Sequence, residues 1–138
     1  MPLIRGGHKR VYVLSAPKTD GVVLYGNDYL IDFDKTNQIA SVKRIHNSLI
    51  SASAGDKSDT AKTVLEFIHS HVEGKEPFMT ATDICTTMLY QHLTTWKQSI
   101  VISKNYVSIW DCDKRLMFVL TMDAWKKIAG DQSSKKPQ

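Results

Sequence analysis

Residues 60–72 read TAKTVLEFIHSHV, and the conformation of this stretch decides the fold. Read as a helix, Ala61, Val64, Leu65, Ile68 and Val72 fall on one face, with Ser58 as N-cap and Gly74 as the stop. Histidines in a last turn also suit the helix dipole. In that reading His69 and His71 point about 200° apart around the axis and cannot meet at one atom. Read as a strand, the same two histidines project from one face, because side chains alternate with a period of two. A third reading joins these: a helical turn from 59 to about 63, then a buried strand LEFIHSH. No glycine or proline marks such a break. Periodicity favours the helix, whereas any joint chemistry of the two histidines requires the strand.

Working outward, the first third of the chain reads as strands. RVYVLSA (10–16), GVVLYG (21–26), YLIDFD (29–34) and IASVKRIH (39–46) are separated by turn residues, the signature of a β-meander. SASAGDKSD (51–59) and GKEPFM (74–79) read as loops. TDICTTMLYQHLTTWKQ (82–98) is the clearest helix, with Thr80 or Thr82 as cap and Asp83 in its first turn. Its expected apolar stripe is Ile84, Met88, Leu89, Leu93 and Trp96. Three strands follow at 99–104, 106–112 and 115–121, then a short helix MDAWKKIA capped by Thr121 and ended by Gly130. The expected fold is one α/β domain over 9–130, a single mixed β-sheet flanked by helices. A flexible N-terminus (1–8) and a disordered tail (131–138) are expected to bracket it.

The length of 138 residues fits one such domain with its own core. No apolar run approaches the roughly 18–20 residues of a membrane span. The net charge of +4 gathers at the ends, in Arg5, Lys9 and Arg10 and in Lys126, Lys127, Lys135 and Lys136. A basic stripe with interleaved aromatics is missing, which argues against nucleic acid as partner. The opening MPLIRGGHKR lacks the apolar core of a signal peptide. That leaves a cytoplasmic protein and an exported one with its signal removed both open. Cys85 and Cys112 read as two free core thiols, or as one disulfide in an exported protein. The oligomeric state is open.

The strand reading carries chemistry. Side by side, His69 and His71 can share one metal ion, and Asp83 at the next helix start can supply an oxygen as third ligand. Two histidines and a carboxylate with a bound water form a zinc-hydrolase arrangement, in which zinc lowers the water's pKa toward about 7. His46 is either an additional ligand or a partly exposed histidine at a strand end. No serine or cysteine carries the local signature of a nucleophile elbow.

HSHVEGKEPFMTATD (69–83) resembles the signature of the JAMM/MPN (JAB) metallopeptidase family: His-x-His, a spacer, then Ser-x-x-Asp. The resemblance extends over residues 64 to about 112, with a looser match before it. It implies a cytidine-deaminase-like α/β architecture, zinc held by His69, His71 and Asp83, and a peptide or isopeptide bond in a protein or peptide substrate. Thr80 takes the place of the family's oxyanion-binding serine. Val72 stands where the family usually has proline, and the spacing to Asp83 is one residue longer than is common. The family's early catalytic glutamate has no counterpart, since the glutamates are Glu66, Glu73 and Glu76. Asp20 or Thr19, in KTDGVVLYG, sits about where that base would stand, with Asp20 as the candidate base.

Overall fold

The structure is a computed structural model that describes residues 2–5 and 7–133. Its strands are β1 (Pro2–Arg5), β2 (His8–Val13), β3 (Val22–Gly26), β4 (Tyr29–Phe33), β5 (Ile39–Arg44), β6 (Leu49–Ser53), β7 (Glu66–Ser70), β8 (Gln98–Ile102), β9 (Tyr106–Asp111) and β10 (Leu116–Thr121). Its α-helices are α1 (Ala81–Tyr90) and α2 (Met122–Ser133).

The stretch 60–72 is neither a full helix nor a full strand. Thr60–Lys62 form one turn of 3-10 helix capped by Asp59, and the chain then becomes extended at Thr63 and enters β7. The break is made from a distance. Val64 donates its N–H to the Thr95 hydroxyl (2.8 Å), and that hydroxyl faces the Val64 carbonyl at the same distance. Both backbone groups that would continue the helix are thereby engaged. The apolar residues of the helical pattern lie outward instead: Leu65, Ile68 and Val72 are 55%, 50% and 69% exposed. Phe67 turns inward and stacks on Tyr25 (4.5 Å between centroids) and Trp96 (5.2 Å). Burying aromatic surface against two large rings outweighs the helical periodicity.

The expected single sheet is three. β1-β2-β4-β5 form an antiparallel sheet, β3 and β6 a two-stranded one, and β10-β9-β8-β7 a mixed one. In the mixed sheet β7 runs parallel to β8, and β8, β9 and β10 are antiparallel. Parallel strands need a crossover, and α1 lies within it, packed on β3. The meander fails at β3 because Gly26 (φ +82) and Asn27 (φ +48) turn the chain out of that layer. β3 then pairs with β6, which takes in Ser51–Ser53 of the segment expected to be a loop.

The long helix is also corrected. α1 ends at Tyr90, a 3-10 turn covers Gln91–Leu93, and the chain leaves it at Thr94. Its buried face is Thr82, Asp83, Thr86 and Thr87, whereas Met88, Leu89 and Leu93 are 46%, 56% and 62% exposed. The buried hydroxyls are satisfied: Thr87 donates to the Asp83 carbonyl (2.9 Å) and pairs with the Tyr25 hydroxyl (2.8 Å). Trp96, which the helix was expected to carry, anchors the following segment by donating Nε1–H to the Ser53 carbonyl (2.9 Å). Val23, Tyr25, Trp96, Val101 and Trp110 centre the core, and both cysteines are free.

Residues 2–5, expected in a flexible terminus, pair with β2. α2 runs through Gly130 to Ser133, and the rest of the expected tail, 134–138, lies outside the described residues. No described helix is long and apolar enough to cross a membrane.

Candidate metal centre

Three segments converge on one point. β7 turns His69 inward beside Phe67. His71 lies just past the strand, yet its N–H still donates to the Ile102 carbonyl (2.9 Å), so the pairing with β8 persists and keeps His71 on the His69 side. Asp83 is the third residue of α1 and closes a capping box with Thr80. The Thr80 N–H (2.8 Å) and hydroxyl (2.7 Å) both donate to Asp83 Oδ2. His46 follows β5, and Asp28 pins its backbone and ring together.

Around Asp83 the distances are short. His69 Nε2 lies 3.5 Å from Oδ1, and His71 Nε2 and His46 Nε2 lie 3.4 and 4.0 Å from Oδ2. Ligand atoms of His46, His71 and Asp83 all fall within 4.8 Å of one another, so this group could hold a metal ion. Tetrahedral bonds of about 2.0–2.1 Å place ligand atoms about 3.4 Å apart, so the set needs only a modest contraction. The His71 Nε2 atom is buried with no hydrogen-bond partner, as is His69 Nδ1. A buried nitrogen without a partner is costly, and a cation at this point would satisfy it.

The electrostatics are those of a carboxylate among imidazoles. Burial works against charge on Asp83, but the His69 and His71 imidazoles that face it, with the Thr80 N–H, prevail and hold its pKa far below the usual carboxylate range. Burial likewise opposes protonation of His71, but the Asp83 carboxylate outweighs it and raises the histidine's pKa.

The structure brings His69, His71 and Asp83 together, as the strand reading requires, and adds His46. The signal for His46 is long-range: Asp28 and His46 are 18 residues apart and meet where β4 begins and β5 has ended. Thr80 stands at the site, but its hydroxyl is engaged with Asp83. Asp20 does not line the histidine cleft; it lines a separate cavity with Gly21, Tyr90 and Leu93. The histidine cleft encloses about 250 Å³, with Gly26, Ile50 and Val72 on its walls and Asp83 and Glu76 as its carboxylates.

No protein-family model, curated protein or solved structure matches this chain.

Proposed function

We propose that this chain is a zinc-binding, JAMM-like hydrolase domain acting on a peptide or isopeptide bond in a protein or peptide substrate. The observation that carries the reading is the buried, unpartnered Nε2 of His71 beside Asp83, at the floor of an open cleft. Imidazole nitrogens with one carboxylate are ligands that suit zinc. A bound zinc would act as a Lewis acid on the scissile carbonyl and lower the pKa of water toward about 7. The chain's own residues then have distinct tasks. His69 and His71 present nitrogens from one strand face. Thr80 fixes Asp83 Oδ2 through two hydrogen bonds and so acts through the carboxylate. Ile50 and Val72 give the cleft apolar walls beside Lys75 and Glu76, a mixed lining that an extended peptide tail could occupy.

A second reading, a non-catalytic protein- or ligand-binding domain, is favoured by the position of Asp20 in another cavity. The expected base is then missing from the cleft. One experiment separates the two. Zinc-loaded protein is incubated with peptide- and isopeptide-linked protein tails and the products are read by mass. Cleavage that stops with chelator and with Asp83→Ala supports the hydrolase. Stable zinc binding without cleavage of any tail supports the binding domain.

A further inference from the structure

Resting on the reading that the cleft holds a metal, we propose that His46 is one of the metal's protein ligands and that Asp28 is its positioning residue. The ring nitrogens differ in how far they are already prepared to ligate. A ligating histidine commonly donates its other N–H to a carboxylate or carbonyl, which fixes the tautomer and the ring. His71 meets this condition, because its Nδ1 lies 2.9 Å from the Glu76 carbonyl, a group that only accepts. His46 meets it as well, with Nδ1 at 2.9 and 3.0 Å from the two oxygens of Asp28. In both rings an acceptor faces Nδ1 and so favours a proton there, which leaves Nε2, on the Asp83 side, as the atom free to ligate. His69 is different: its Nδ1 is buried with no partner, so nothing holds its ring in a ligating tautomer.

Asp28 is built for this task. It is 2% exposed, and its backbone carbonyl accepts from Ile45 N–H (3.0 Å) while its side chain accepts from His46 N–H (2.9 Å). Backbone and ring of His46 are therefore clamped by one residue. A buried carboxylate costs several kcal/mol unless paired, and here it faces the ring that points at Asp83. The geometry assigns His46, His71 and Asp83 as the prepared set, with His69, packed against Phe67 and Tyr25 but with no partner at Nδ1, as a fourth donor. Three of these donors would leave a tetrahedral ion one position for water, whereas all four would close it.

The direct test uses the wild-type protein with nitrogen-labelled histidine and NMR-active cadmium in place of zinc. The expected result is a metal–nitrogen coupling at Nε2 of His46 and of His71. His46→Ala and Asp28→Asn extend it, each checked for an intact fold in chelator by circular dichroism. Loss of the ligand is expected to weaken metal affinity by about 100-fold or more, and Asp28→Asn by about 10–100-fold. Cadmium bound at His69 and His71 with no coupling to His46, and wild-type affinity in His46→Ala, would overturn this inference while leaving the metal reading intact. A wild-type protein that takes up no cadmium or zinc overturns both.

Discussion

Thr95→Val removes one hydroxyl, keeps the side-chain shape, and strikes the device that ends the helical turn before β7. The hydroxyl accepts from Val64 N–H at 2.8 Å and lies 2.8 Å from the Val64 carbonyl and 3.4 Å from that of Ala54. Its single proton serves one carbonyl at a time. Losing an acceptor for a half-buried N–H costs about 1–3 kcal/mol, and losing a donor about 0.5–1.5 kcal/mol. Water reaches part of the site, so the sum falls near 2 kcal/mol. In a domain of 138 residues each kcal/mol shifts Tm by about 3–4 °C, giving a fall of about 6–8 °C. Thermal unfolding followed by circular dichroism measures it, with Thr95→Ser as the control that restores the hydroxyl. Thr95→Val within about 1 °C of wild type, where experimental error lies, would refute the claim that Thr95 holds the break.

Other consequences are equally concrete. Gly26→Ala places a methyl group against the Ser48 carbonyl at φ +82, and is expected to destabilise by about 3 kcal/mol or more in urea titrations. Burial works against charge on Asp28, but the hydrogen bond from His46 wins and depresses its pKa, as the imidazoles do for Asp83. Depressed carboxylates stabilise the fold above the unfolded value near 4 and lose that contribution as pH falls through the folded value, so urea midpoints of metal-free protein should drop below about pH 4. Asp28→Asn should flatten that drop, and an unchanged slope would count against it. Burial pushes the Cys112 thiol up to about 11, so a Cys85→Ser variant should resist iodoacetamide at about pH 8 until urea unfolds it. Rapid modification of the folded variant would contradict that burial.

Local patterning located most strands correctly, because alternation and turn residues act over a few positions. It missed what distant residues decide. The helical spacing of Ala61, Val64, Leu65, Ile68 and Val72 is real in the sequence, yet Leu65, Ile68 and Val72 lie exposed. The break comes from Thr95 and the inward pull from Tyr25 and Trp96. The apolar stripe of α1 misled for the opposite reason: its threonine face is buried because Tyr25 and the helix's own backbone satisfy the hydroxyls. Of the site, the pair His69 and His71 with Asp83 was legible through spacing once a strand was assumed. The Asp28–His46 pair was not, since only the arrangement of β4 and β5 brings the two together.

The claim at the centre of this account is that the cleft at His46, His71 and Asp83 holds one metal ion. The most direct measurement is a zinc titration against a chromophoric chelator, on protein first stripped of metal. The wild type is expected to bind about one equivalent, lost in His71→Ala and in Asp83→Ala. Zinc uptake that is absent in the wild type, or unchanged in both variants, would contradict it.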